Sequence, residues 1–156
     1  MKEQIEEALQ DFIEDVVTYQ GKPTVDIIVR GTTDKPKVNN ILIIDVNHNI
    51  DNIVVDLNDE AQCKGGGEMF WIFKVRDEDT GEDISEIAET KNDRIPELTF
   101  QAIIDNDSLG GRIPGILNNF KLISGLYELR NQEGVFFYVS HLTFGYEGGW
   151  IPPVEN

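Results

Sequence analysis

Apolar residues recur every three to four positions through the first part of the chain, and acidic residues fill most of the positions between them. The apolar set is Ile5, Leu9, Phe12, Ile13, Val16 and Val17. Because this spacing places one apolar stripe along one side of a helix, it predicts an amphipathic helix over residues 2–19. Acidic side chains near the start suit the helix dipole, and Gly21 with Pro23 is typical of a helix end.

Beyond residue 24 the apolar pattern changes to short runs of β-branched and aromatic residues, many of them alternating. Such runs are typical of strands. The predicted strands cover residues 25–29, 41–46, 53–57, 69–75, 98–104, 120–129 and 135–144. A short helix is predicted over residues 83–91. The glycines at 65–67 predict a flexible connection, and residues 105–119, with three glycines and a proline, predict a mobile flap.

Several strands with short polar connections favour antiparallel pairing over parallel pairs with helical crossovers. The expected class is α+β, with an N-terminal amphipathic helix packed on a mainly antiparallel, curved β-sheet or partly closed barrel of about seven strands. A chain of 156 residues suits one domain over residues 1–156. We expect the helix at 2–19, a β-rich body at 24–144 and a flexible tail at 145–156.

The charge balance narrows the range of partners. The chain has 29 Asp plus Glu residues against 13 Lys plus Arg residues, a net charge of -16. A surface this negative repels nucleic acid and anionic membranes, so neither is expected as a direct partner. The one cysteine, Cys63, excludes an internal disulfide and is interpreted as an inert thiol. The acidic N-terminus lacks a secretory pattern, so we expect a soluble, cytoplasmic protein.

The same acidity favours binding to a basic protein, because clustered carboxylates steer a cationic partner into contact. We expect a non-catalytic interaction protein that inhibits or neutralises a basic partner, for example a nucleic-acid-binding enzyme or a toxin. Immunity proteins and viral anti-defence proteins fit this description. Trp150 adds an aromatic anchor of the kind that dominates interfaces, with docking onto the protein's own core as the alternative. The expected partner-binding residues are Glu3, Glu6, Glu7, Asp11, Glu14, Asp77, Glu78, Asp79, Glu82, Asp83 and Trp150.

Oxygen-bearing side chains alternate around one predicted hairpin tip at the spacing of a calcium-binding loop. They are Asp45, Asn47, Asn49, Asp51 and Asp56. Ile50 stands where such a loop needs glycine, so a turn rich in Asn and Asp is the favoured interpretation. Asp77, Asp79 and Asp83 have similar intervals, and a solvated turn is again favoured. We therefore expect no metal or other cofactor, with calcium as the alternative.

One histidine motif points to a different chemistry. His141 and Thr143 form a His-x-Thr motif that resembles the one used by a class of phosphoesterases, in which two such motifs pair across a cleft. The second copy is absent, because His48 is followed by Asn49 and Ile50. His141 is also in phase with apolar neighbours of its predicted strand, which favours a core or groove histidine. No catalytic residue is therefore expected, and a His141-dependent hydrolase is kept as an alternative.

Two further alternatives follow from the predicted sheet. A barrel that binds a small ligand would use Arg112, Tyr138 and His141 as polar contacts, gated by the first helix and residues 105–119. A structural subunit of a virion or secretion assembly would pair its strands and its C-terminal aromatic residues with neighbouring copies. The presence of an internal cavity distinguishes the first from a packed sheet, and the mass in solution tests the second.

Overall fold

The computed structural model describes residues 1–31, 37–46, 54–55, 61–128 and 136–151. Within those residues the helices are α1 (Lys2–Val16) and α2 (Ser85–Asp105). The strands are β1 (Thr18–Tyr19), β2 (Lys22–Pro23), β3 (Ile27–Arg30), β4 (Asn40–Val46), β5 (Val54–Val55), β6 (Ala61–Lys74), β7 (Gly115–Glu128) and β8 (Phe136–Gly149).

Five strands form the main sheet, in the order β3-β4-β6-β8-β7, and β5 pairs with one end of β6. The β3–β4 pair is parallel, with Ile27 opposite Ile41, and the other pairs of this sheet are antiparallel. β1 and β2 form a separate small hairpin. The expected α+β class is confirmed, and the sheet is mixed. The described strands leave the sheet open, so they give no closed barrel.

α1 confirms the predicted amphipathic helix, although it ends at Val16 and not at residue 19. The chain then turns into the β1–β2 hairpin, where Gln20 and Gly21 both have positive φ angles of 54° and 75°. That left-handed pair makes a tight turn, which glycine at the second position allows. Val16 is an exposed member of the predicted apolar stripe, with 47% of the residue exposed.

α2 replaces a predicted short helix and a predicted strand. Its buried side includes Asn92 and Thr99, so polar residues interrupt the apolar stripe that would have indicated a long helix. Pro96 lies inside the helix and lacks the N–H that would bond to the carbonyl of Asn92. Ser140 of β8 compensates in part: its hydroxyl lies 3.5 Å from that carbonyl and donates to Asn92 Oδ1 at 2.7 Å. A strand therefore supports the helix at the position where proline weakens it.

Both helices pack on the same side of the main sheet. Buried residues on neighbouring strands lie opposite one another there, as in the pairs Leu42–Trp71, Ile44–Met69 and Met69–Leu142. They form one cluster with side chains of α1 and α2, among them Ile5, Leu9, Phe12, Ile13, Ala88, Ile95 and Ile103. Since side chains alternate along a strand, Ile43, Phe70 and His141 face away from the helices. We call that side the outer sheet face.

The glycines at 65–67 lie in the middle of β6, so the predicted flexible connection is wrong. Gly67 is needed there because a Cβ atom would lie 2.6 Å from Cζ of Phe144 on the neighbouring strand. The missing side chain makes room for that aromatic ring in the core. A run of glycines thus marks a close approach between strands, as it does elsewhere in sheets.

The C-terminal part of the chain is more regular than the sequence predicts. The predicted flap at 105–119 holds the last residue of α2, a series of turns and the start of β7 at Gly115. β8 continues to Gly149, so residues 145–149 of the predicted flexible tail belong to the sheet. Tyr146 is buried, and its hydroxyl donates to the carbonyl of Gly149 at 2.6 Å. Burial raises the pKa of this phenol to about 12.

Candidate functional site

The exposed side of α1 carries a continuous row of carboxylates. Glu3, Glu7, Asp11 and Glu14 are all exposed and follow one another at intervals of three or four residues, so they form one stripe along the helix. We call these four residues the α1 acidic face. None of them forms an ion pair with a described residue, and Glu14 accepts a hydrogen bond from Gln10 at 3.0 Å. The face therefore presents negative charge to solvent that no ion pair among the described residues neutralises.

Glu6 does not belong to this face, and the prediction that it lies on the exposed side of the helix is wrong. Only 4% of the residue is exposed, and Oε2 accepts the backbone N–H of Val46 at 3.2 Å. Burial raises the pKa of this carboxyl, while the hydrogen bond from Val46 and the nearby charge of Lys2 act in the opposite direction. Glu6 thus joins the end of β4 to the first turns of α1.

The loop that contains the second predicted acidic cluster is held by its own carboxylates. Asp77 Oδ1 accepts the backbone N–H groups of Asp79 and Thr80 at 2.9 and 3.0 Å, and Oδ2 accepts Nδ2 of Asn39 at 3.0 Å. These bonds hold the pKa of Asp77 below its usual range. The carboxylate of Asp83 likewise accepts the N–H of Ser85 at 2.8 Å just before α2, and hydrogen bonds from Ser85 lower its pKa.

The remaining acids of this loop differ in their availability. Glu78 pairs with Lys74, whereas Asp79 and Glu82 are exposed and form no ion pair with a described residue. The loop is therefore the solvated, self-bonded turn that the sequence favoured. Its charge adds to the acidity of the surface, but two of its five carboxylates are occupied in shaping the backbone.

No group of three or more acidic, histidine or cysteine side chains able to hold a metal ion occurs among the described residues. Asp45, the first of the predicted calcium ligands, pairs with Lys2 at 3.3 Å. The other four predicted ligands lie outside the described residues, namely Asn47, Asn49, Asp51 and Asp56.

His141 lies on the outer sheet face, where its ring stacks on Phe70 with centroids 4.3 Å apart and planes 5° from parallel. Nε2 lies 3.7 Å from a carboxylate oxygen of Glu68, too far for a hydrogen bond, and has no hydrogen-bond partner within the part of the chain that the structure describes. Thr143 follows on the same side of β8, opposite Glu68 in the register. This places the His-x-Thr motif on the outer sheet face, where the histidine packs against an aromatic ring and 30% of its side chain is exposed.

The three predicted ligand contacts do not come together. Tyr138 lies opposite Phe73 on the helix-covered side of the sheet, where burial and the nearby Glu89 raise its pKa. His141 faces the other side of the same strand. Arg112 lies in the turns before β7 and contacts α1. The three side chains therefore cannot line one cavity.

Arg112 has structural partners on two elements. Nη2 lies 2.9 Å from Oδ2 of Asp15, Nη1 donates to the carbonyl of Leu109 at 2.9 Å, and the guanidinium lies over the ring of Phe12 at 5.6 Å. It joins the turn after α2 to the end of α1. Asp15, which the sequence reasoning did not select, is the acid of α1 that this arginine neutralises.

Trp150 and Cys63 differ in accessibility. Trp150 follows the end of β8, and 39% of the residue is exposed. Cys63 is buried, its thiol lies 3.3 Å from Sδ of Met1, and burial raises its pKa. A buried thiol of raised pKa is a poor nucleophile.

A groove of about 370 Å³ runs between the C-terminal half of α1 and residues 23–28, which include the first two residues of β3. Its lining residues are Gln10, Ile13, Glu14, Val17, Pro23, Thr24, Val25, Asp26, Ile27 and Ile28. We call it the α1–β3 groove. No spacing in the sequence indicates it, because it depends on the parallel pairing that places β3 at the sheet edge next to α1.

Comparison with models of known protein families, and with curated proteins, gives no match for this chain. The described helices include none with the length and apolar character needed to cross a membrane. The geometry and charge of the surface are therefore the features from which a function can be inferred.

Proposed function

We propose that this chain is a non-catalytic binding protein that uses the α1 acidic face to bind a basic protein partner and to block the partner's own anion-binding surface. The observation that carries the proposal is the stripe Glu3, Glu7, Asp11 and Glu14, which is exposed and unpaired with any described residue. Among the described residues, the cations with ion-pair partners lie against other acids: Lys2, Lys64, Lys74 and Arg112.

Physical chemistry supports a role for this stripe beyond solubility. Like charges three or four residues apart destabilise a helix by about 0.2–0.5 kcal/mol per pair, so the arrangement costs stability in the free protein. A partner that places cations between these carboxylates removes that repulsion. The summed field of the surface also accelerates encounter with a basic protein.

The alternative functions receive less support. A hydrolase needs a second group beside His141 placed to act on a substrate, whereas its described neighbours are Phe70 and a carboxylate at 3.7 Å. A ligand-binding barrel needs closure and convergent polar groups, but the described sheet is open and the three candidate contacts lie apart. Binding of a basic protein requires exposed carboxylates, and the α1 acidic face provides them.

The test compares two triple variants that remove equal charge. One neutralises the α1 acidic face, Glu3→Gln, Glu7→Gln and Asp11→Asn, and the control neutralises exposed acids of α2, Glu86→Gln, Asp93→Asn and Glu97→Gln. The probe is a fluorescein-labelled oligolysine of about 20 residues, followed by anisotropy at about 0.05 and about 0.5 M NaCl.

At low salt, we expect the α1 variant to weaken binding by about tenfold, since three exposed charge contacts of about 0.5 kcal/mol each are worth about 1.5 kcal/mol together. The α2 variant should weaken it by less than about threefold. Binding by the unaltered protein should fall steeply at high salt. Equal loss in both variants, or an affinity that is independent of salt, would refute a specific role for α1.

A further inference from the structure

We propose that the α1–β3 groove binds an extended segment of the partner, which adds to the edge of β3 as a further strand. This inference rests on the proposed function and deepens it, because it names the part of the surface that fixes the partner. The occupant is an extended peptide in which basic and apolar residues alternate.

The edge of the sheet provides the backbone part of such a site. β3 (Ile27–Arg30) is the last strand on its side of the main sheet and pairs only with β4 among the described residues. A strand at a sheet edge has N–H and C=O groups directed outward, and an added strand satisfies them. The neighbouring α1 forms the opposite wall, so a peptide that pairs with β3 would lie between a strand and a helix.

The lining supplies side-chain selectivity. Its floor is apolar, with Ile13 and Val17 almost fully buried and Ile28 packed against the core. Its charged members are Glu14 and Asp26, and no lysine or arginine belongs to the lining. The groove is therefore complementary to an apolar side chain below and a cation at the rim.

The geometry of a strand turns this lining into a sequence preference. Successive side chains of an extended peptide point to opposite sides, so alternate residues would enter the groove while the others reach toward solvent. A volume of about 370 Å³ is at the small end of ligand pockets. It suits a few aliphatic side chains, with lysines between them close to Glu14 and Asp26.

Two peptides of identical composition test whether binding depends on the alternation of lysine and valine or only on the total charge of the peptide. The first is fluorescein-labelled Lys-Val-Lys-Val-Lys-Val-Lys-Val and the second is Lys-Lys-Lys-Lys-Val-Val-Val-Val with the same label, each titrated with the full chain. We expect the alternating peptide to bind about tenfold more tightly. Equal dissociation constants would overturn the groove assignment. If oligolysine still bound through the α1 acidic face, the proposed function would stand without the groove.

Two protein variants locate the site. Glu14→Lys reverses a charge that lines the groove, and Glu97→Lys reverses an exposed charge on α2, outside the groove lining. The first variant should weaken binding of the alternating peptide by about tenfold and the second by less than about threefold. The added lysine repels the peptide only where it lies close to the bound peptide. Equal effects would overturn the groove. Circular dichroism confirms that both variants are folded.

N-methylation tests strand pairing directly. In an extended peptide all valine N–H groups point to one edge and all lysine N–H groups to the other. Methylating the set of N–H groups that faces β3 should abolish binding. Methylating the set that faces away should change the dissociation constant by less than about threefold. If both sets were tolerated, or both abolished binding, backbone pairing with β3 would be refuted.

Discussion

Replacing Arg112 by alanine should lower the free energy of unfolding, and it should leave the binding of a ligand at any other site unchanged. The bond from Nη1 to the carbonyl of Leu109, at 2.9 Å, is worth about 1 kcal/mol. The ion pair with Asp15 adds about 0.5 kcal/mol, because 64% of that acidic side chain is exposed. The cation above the Phe12 ring, at 5.6 Å, adds about 0.5 kcal/mol. The loss in the free energy of unfolding is therefore about 2 kcal/mol.

Urea unfolding followed by circular dichroism measures this loss, and thermal unfolding should show Tm lower by about 4–8 °C for a domain of this size. Asp15→Ala removes only the ion pair and should cost about 0.5 kcal/mol, much of which about 1 M NaCl should also remove. Arg112→Lys keeps the positive charge but loses the forked guanidinium group. Its loss in the free energy of unfolding should therefore lie between the losses of Asp15→Ala and Arg112→Ala. A loss below about 0.5 kcal/mol for Arg112→Ala, or equal losses for Asp15→Ala and Arg112→Ala, would refute the structural role assigned to the arginine.

Two further predictions concern buried groups. Since the pKa of Glu6 is raised in the folded chain, its contribution to stability should be greatest at low pH and should fall as pH rises from 4.5 through the raised value. Glu6→Gln keeps an oxygen that accepts the Val46 N–H but cannot ionise, so it should remove this loss of stability with rising pH. Toward neutral pH the variant should therefore become more stable relative to the unaltered protein. Each unit of difference in the pKa of Glu6 between the folded and unfolded states is worth about 1.4 kcal/mol. Parallel curves of unfolding free energy against pH would contradict this. Tyr146→Phe loses the hydroxyl that donates to Gly149 and should cost about 1–2 kcal/mol in urea unfolding, whereas a residue in a flexible tail would cost nothing measurable.

The first helix could be predicted because its apolar residues follow one period without interruption, whereas α2 could not. Within α2, Leu98, Phe100 and Ala102 alternate with the polar residues Thr99 and Gln101 and so imitate a strand, yet Leu98 is exposed on the helix. The residues on its buried side include Asn92, whose Oδ1 accepts a hydrogen bond from Ser140 on a distant strand. A local pattern cannot show that a polar residue will find such a partner.

The residues of the candidate site could be predicted from the sequence only in part. Glu7 and Glu14 could be assigned to the exposed side of α1 from their spacing, but Glu6 could not be assigned to the buried side, because its partner is the backbone of β4. The α1–β3 groove could not be predicted at all. It arises because β3 pairs in parallel with β4 and so occupies the sheet edge, and no feature of the two strand sequences states which edges will meet.

The position of β8 has a consequence for how the molecule forms. β8 lies between β6 and β7, yet it follows every other described strand in chain order. During synthesis, β6 and β7 therefore emerge before the strand that joins them, and such distant pairings make folding slow. Until then, long strand edges are open to pairing with other chains. The net charge of -16 makes complete but unfolded copies of the chain repel one another, so the acidity proposed here for binding would also oppose such pairing.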